Sequence, residues 1–384
     1  MASFGRGILQ DWFLNEELTF LNHGAFGAVP KRVFWAQEKW RRELEAQPVM
    51  FLNQVLDPEL KKLAERLSNF VGASPGQLVF TCNTTEAISG VAHSIIRSPD
   101  DEVLLTDQTH EGVANIFLHL CGRVGARVNR VALPWPVRSG TEILDAFEPY
   151  LTGSTRLVVL GHVSSKQSVV MPLKDLVRAC QRVCSSVIVD GAHAPGMLDL
   201  EISDIGADWY VGNCHKWLLA PKGAAFLVAA ADKSRATHPA TISTSYGRGF
   251  WSEFSWTGTR DPSAWLSIGD ALDFWSQVGE KAGRDYMCSL ADWAGEQLAS
   301  DWHTERGAVS DMTGAMVAVR LPENSVLEAA GPETLHDWLL RVHKIEVPIF
   351  IHGGSLWLRI STHLYNDESD VFRLSQALLQ YDGR

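Results

Sequence analysis

At 384 residues, with 46% hydrophobic and 21% charged side chains, the chain is ordinary for a globular protein and long enough for a large core in two domains. Its formal charge of −11, with no basic run, excludes nucleic-acid binding through clustered Lys and Arg and reads as solubility. No stretch approaches the roughly 18–20 apolar residues of a membrane helix, and acids and tryptophan stand where a signal peptide has a plain apolar run. The expected address is therefore cytoplasmic, with no membrane partner. Six cysteines (82, 121, 180, 184, 214 and 288) occur without a CxxC pair and read as reduced thiols. Cys180 and Cys184 would share a helix face, but without a second ligand pair no metal site is expected.

The chain opens on an amphipathic stretch and then a glycine-punctuated loop, Phe20-Leu21-Asn22-His23-Gly24-Ala25-Phe26-Gly27. Such glycines let backbone come close to something, or simply allow a tight bend. Helical patterns cover 31–46 and 58–71, the second with Leu60, Leu63, Ala64, Leu67 and Phe70 on one stripe. From residue 77 the pattern alternates as βα units. Strands are expected at 77–81, 102–106, 127–132, 156–162, 187–190, 209–213 and 224–228, with helices at 86–97, 112–124, 140–150 and 173–184. Short apolar strands between amphipathic helices predict an α/β domain with a mostly parallel seven-stranded sheet covered on both faces. Ligands of such sheets bind at the carboxyl ends of the strands. Helix-rich sequence over 262–302, strands at 315–320 and 356–361 around another helix, and a last helix at 367–380 read as a smaller α+β domain. The expected division is a large domain of 25–257 and a small one of 1–24 and 258–384.

The candidate functional groups gather at strand ends. Val79-Phe80-Thr81-Cys82-Asn83-Thr84-Thr85-Glu86 is strand, turn and helix start. First-turn amides beside the Thr84 and Thr85 hydroxyls form an anion site, or one threonine merely caps the helix. No Gly-Lys-Thr follows, so a nucleotide is not the expected anion. His110 follows the strand at 102–106; it either lies flat on an aromatic ring or is an ordinary loop histidine. Asp190 closes a β-branched run as a carboxylate able to bond a pyridinium nitrogen, and His193 either hydrogen-bonds near such a ring or caps a turn. Lys216 sits in Asn213-Cys214-His215-Lys216-Trp217, where a partly desolvated amine becomes a nucleophile rather than a solvated charge. An acid for a pyridine nitrogen and a lysine for an aldehyde make the pairing of pyridoxal 5′-phosphate (PLP) chemistry. Later, Ser255-Trp256-Thr257-Gly258-Thr259-Arg260 sets hydroxyls around a glycine, as a phosphate oxygen requires. Arg359 is a lone guanidinium in the apolar strand Leu356-Trp357-Leu358-Arg359-Ile360-Ser361, to be answered by a substrate carboxylate or a structural ion pair.

The ordered set Asn83-Thr84-Thr85, His110, Asp190-Gly191-Ala192-His193, Asn213-x-His215-Lys216-Trp217, Trp256-Thr257-Gly258-Thr259 and Leu358-Arg359-Ile360-Ser361 resembles the class V aminotransferase family of fold-type-I PLP enzymes. With Leu21–Gly27 included, it is most similar to the isopenicillin N epimerase-like branch, which also holds L-cysteine desulfhydrases and related C–S lyases. The resemblance implies PLP as cofactor, Lys216 as Schiff-base lysine and acid/base at Cα, Asp190 on the pyridine nitrogen and His110 on the ring face. It implies Thr84, Thr85 and His215 at the phosphate with Asn213 near it, and Ser164 or Ser165 at the phenolic oxygen. Arg359 would bind the substrate α-carboxylate, helped by Asn22. Thr259 would reach the phosphate of the neighbouring subunit in a homodimer with composite sites. Cysteine desulfurases of this class need a cysteine shortly before that arginine; residues 349–357 read IFIHGGSLW and no cysteine follows Cys288, so persulfide transfer is not expected.

The implied common step is removal of the Cα proton of an L-amino acid. A C–S lyase reaction on cysteine or a cysteine conjugate is the expected outcome, with epimerisation or transamination as alternatives. An epimerase needs a second acid near Cα, for which His23 and Tyr246 are the nominees. A non-catalytic PLP-binding regulator would carry an appended reader domain, for which the chain has no room.

Overall fold

The computed structural model describes residues 4–183 and 185–383, so the expected helical pairing of Cys184 with Cys180 lies outside the described residues. In chain order the strands are β1 (Thr19–Phe20), β2 (Leu78–Thr81), β3 (Glu102–Thr106), β4 (Arg127–Val131), β5 (Thr155–Gly161), β6 (Ser186–Asp190), β7 (Trp209–Asn213), β8 (Ala225–Ala229), β9 (Met316–Arg320), β10 (Ile345–Glu346), β11 (Ile349–His352) and β12 (Ser355–Ser361). Among the described residues they form three sheets, the largest of seven strands in the order β2-β8-β7-β6-β5-β3-β4. Interior strands such as β3 and β8 are buried along their whole length, as their apolar centres require. The edge strand β4, Arg-Val-Asn-Arg-Val, instead exposes its arginines, which blunts an open edge.

Strand β8 alone runs against the sheet, antiparallel to both β2 and β7. The reason is length. Parallel neighbours need a crossover of a dozen or more residues, usually a helix, whereas the β7–β8 link, 214–224, is eleven residues with no helix. That turn contains Lys216.

Helices cover both faces. Thr84–Ile95 and Glu111–Val124 lie over one, in a core with Val79, Phe117, Ile188 and Trp209. Leu56–Val71 and Leu173–Arg182 lie over the other, with Leu67, Val163, Leu176 and Trp265. Each fully buried Leu, Val or Phe here contributes about 1.5–3 kcal/mol. The helix expected to start at 86 starts at Thr84, because Asn83 rather than either threonine caps it: its Oδ1 accepts from the Glu86 amide at 2.8 Å.

A second, three-stranded antiparallel sheet, β11-β12-β9, packs on helices Glu280–Trp302, Ser325–His343 and Glu368–Leu379 around Leu298, Val317, Leu339 and Leu358. The N-terminal segment joins this end of the molecule. β1 pairs with β10, Leu21 donates its amide to the Glu346 carbonyl (3.0 Å), and Ser361 donates to the Leu21 carbonyl (2.8 Å). Residues 19–22 thus lie between β10 and the end of β12, as no sequence period announced.

Candidate active site

The turn after β7 is held from inside and from both flanks. The Cys214 and His215 amides both donate to the Ala224 carbonyl (2.9 and 3.2 Å), and Leu219 bonds back to the Lys216 carbonyl (3.1 Å) from a left-handed φ of 68°. Gly27, at φ 72°, approaches so closely that a Cβ there would stand 2.1 Å from the His215 carbonyl oxygen. Gly196, at φ 88°, does the same on the other side, 2.4 Å from the Trp217 carbonyl oxygen. Gly27 of the early loop therefore admits not a ligand but the lysine turn of its own chain.

Above this turn lies a cavity of about 180 Å³ at the carboxyl ends of the parallel strands. Lys216, Asp190, His193 and His110 line it, together with Thr84, Thr85, Asn213 and His215 at the β2–β7 end and Ser164 and Ser165 after β5. The Thr84 amide donates to Asn213 Oδ1 (3.1 Å), tying the two strand ends together. Within that first helical turn, the Thr85 amide is the one with no protein partner among the described residues. His215 donates Nδ1–H to the Ala224 carbonyl (3.2 Å), and burial lowers its pKa to about 4. Holding an anion through Nε2 would therefore require it to take up a second proton.

Lys216 Nζ lies 3.1 Å from His193 Nε2, while His193 Nδ1 accepts from the Trp217 indole N–H (3.4 Å). A neutral imidazole that accepts at Nδ1 carries its proton on Nε2, so the lysine facing it must accept, as a neutral amine. Burial, which outweighs the opposing pull of Asp190, lowers the Lys216 pKa to about 8. Asp190 is itself pushed up by burial, although its Oδ1 accepts from the Ala192 amide (3.0 Å). Its other oxygen has no hydrogen-bond partner among the described residues, and a cation placed there would lower the pKa again.

Arg359 stands behind Ser165. It donates Nη1 to the Ser165 carbonyl and Nη2 to Asn22 Oδ1, both at 2.6 Å, and its Nε is buried without a partner. Among the described residues no carboxylate pairs with it directly, and burial lowers its pKa to about 10. Among the described residues, the structural ion pair that the sequence allowed is absent.

Neither Arg359 nor Asn22 is part of the cavity lining, and three further expected residues are outside it as well. His23 is fully buried under the turn, donating Nε2–H to the Lys216 carbonyl (3.1 Å) and accepting at Nδ1 from the Tyr365 hydroxyl (2.7 Å). With both nitrogens committed, it does not reach the cavity. Tyr246 is 63% exposed and packs on His238, because its turn projects from the surface. Thr259 is exposed and outside this chain's cavity lining. Sequence reasoning missed Gln108, which lines the cavity only 7% exposed with neither amide atom partnered. Its one sequence signal was its place two residues before His110.

A strand-end acid facing a desolvated lysine, with an anion-ready helix start alongside, is a site of the PLP-dependent kind. The chain belongs to the aminotransferase class-V family, whose pattern matches residues 20–374, and it is a PLP-dependent enzyme. Isopenicillin N epimerase of Amycolatopsis lactamdurans is 34% identical to it, over 95% of each chain. A probable chloroplastic L-cysteine desulfhydrase of Arabidopsis thaliana is 29% identical, over 93% of this chain and 82% of its own. Among solved structures, a cystine C–S lyase in complex with its reaction product cysteine persulfide shares the fold, with a TM-score of 0.82 at 21% identity and 95% and 98% of the two chains covered.

Proposed function

We propose that this enzyme is a C–S lyase that eliminates sulfur from Cβ of L-cysteine or a cysteine conjugate. One observation carries the choice over epimerisation: neither nominee for a second acid, His23 or Tyr246, lines the cavity, whereas Lys216 and His193 stand together on one side of it. The 34% identity to an epimerase keeps epimerisation as the second reading.

The unfilled hydrogen-bonding capacity of the cavity fits the cofactor. Thr84, Thr85, Asn213 and His215 would hold its phosphate, Asp190 its ring nitrogen, His110 its ring face, and His193 with Ser165 its phenolic oxygen. Bound PLP supplies the sink for the electrons left at Cα. Arg359, beside Asn22, grips the α-carboxylate and fixes the substrate's orientation. Lys216, neutral in part at physiological pH because its pKa is about 8, takes the Cα proton. The Cβ–S bond then breaks, sulfur leaves as thiol or sulfide with a proton, and the enamine product hydrolyses to pyruvate and ammonia.

Thr259 serves the phosphate of a second copy in a homodimer; its exposure outside its own chain's cavity supports this. We divide the chain into a large unit of 25–257 and a small one of 1–24 and 258–384, supported by the pairing of 19–22 with C-terminal strands. A cytoplasmic location is supported by the free thiols of Cys82, Cys121, Cys180, Cys214 and Cys288.

The test is to incubate the purified enzyme with L-cysteine and with bulkier cysteine conjugates in deuterated water. Sulfide or thiol released in step with pyruvate is the expected result. Deuterium incorporation at Cα with inversion and no pyruvate would replace the lyase by an epimerase.

A further inference from the structure

We infer that Glu346 is a positioning residue of the substrate-carboxylate site, acting on Arg359 through Asn22. The inference rests on the reading of Arg359 given above. Three side chains stand in a row across three hydrogen-bonded chain segments. Arg359 Nη2 donates to Asn22 Oδ1 at 2.6 Å, and Asn22 Nδ2 donates to Glu346 Oε1 at 2.8 Å. His336 Nε2 closes the far end, 3.3 Å from each Glu346 oxygen. The backbone ladder sets the row in advance, since Leu21 bonds to the Glu346 carbonyl and Ser361 to the Leu21 carbonyl.

A side-chain amide can sit either way round. With its oxygen toward the guanidinium and its nitrogen toward the carboxylate, Asn22 satisfies both neighbours; turned over, it sets donor against donor and acceptor against acceptor. Glu346 thereby selects one orientation of Asn22, and Asn22 in turn anchors one arm of Arg359. The same row explains how a buried guanidinium manages without a direct acid. A carboxylate placed on Arg359 itself would fill the fork that an incoming α-carboxylate needs. Held one residue back, Glu346 leaves that fork open, with Nε unpartnered among the described residues.

The experiment uses holoenzyme and L-alanine, which carries no leaving group on Cβ, with binding read from the absorbance of the bound cofactor. Glu346→Gln, which can donate or accept, removes the orientation bias. It is expected to weaken L-alanine binding about tenfold and to raise KM for cysteine alike, with kcat within about threefold and the free-enzyme spectrum unchanged. In an Asn22→Ala background the same substitution should add nothing. An undiminished effect of Glu346→Gln without Asn22, unchanged binding, or a loss confined to kcat would each overturn the inference. Asn22→Asp provides a second route that leaves Glu346 untouched: it places an acid on the guanidinium and should weaken L-alanine by at least as much, and normal binding would again overturn the inference. Arg359→Lys separates the two levels. If it leaves L-alanine binding intact, the assignment of Arg359 fails, whatever Glu346 does.

Discussion

The two ends of the site are built from different materials. The lysine end is made of main chain: the eleven-residue antiparallel link between β7 and β8, closed by carbonyl bonds and pressed by Gly27 and Gly196 from either flank. The arginine end is made of side chains, a row of amide, carboxylate and imidazole from segments far apart in sequence. Main-chain packing tolerates almost no substitution, so the lysine end keeps one chemistry. Side-chain rows can be exchanged a residue at a time, so the arginine end is where substrate preference can drift among enzymes of one fold.

The contrast can be broken most forcefully at Lys216. Lys216→Ala should reduce turnover by about 10⁴-fold and abolish the absorbance of lysine-bound cofactor, and a variant that keeps the band would end the assignment. In the unsubstituted apoprotein, cofactor attachment should quicken as pH rises through about 8, because only the neutral amine attacks. Stopped-flow absorbance across that range checks the sign. Next in size is Gly27→Ala, which puts a methyl into the His215 carbonyl at a positive φ. A loss of about 2 kcal/mol in urea unfolding, with weaker cofactor retention, is expected; an unchanged midpoint would mean that the flank is not tightly held. The smallest effect belongs to Ser165→Ala. Arg359 uses the Ser165 carbonyl rather than its hydroxyl, so only the proposed bond to the cofactor's phenolic oxygen is lost: KM should move by less than about threefold while the cofactor absorbance shifts, and a larger change in KM would place that hydroxyl on substrate.

Much of this was legible in the chain itself. The seven strands fall within a residue or so of their expected places, because short aliphatic runs bounded by turns leave little else for them to be. The lysine, the aspartate and the helix start were legible for the same reason, as each closes a strand. The reversal of β8 was less so, since it depends on the length of one link rather than on any residue in the strand. The role of His23 was hidden because a histidine that supports a carbonyl from below looks the same in sequence as one that meets a substrate. Gln108 and Glu346 were invisible for a related reason. Their meaning lies in who faces them, and β1 and β10, at two residues each, are too short to show a period.

The placement of residues 19–22 between β10 and β12 has an outcome for the way the molecule is made. The contact between Asn22 and Arg359 spans 337 positions. During synthesis the sheet and the lysine turn can assemble while the last third of the chain is still being added, but the arginine row cannot. Asn22 emerges 337 residues before the guanidinium it bonds. On the proposed role of Arg359, a growing chain gains its place for the cofactor well before its place for the substrate, and a fragment ending short of residue 359 lacks the proposed grip on the α-carboxylate.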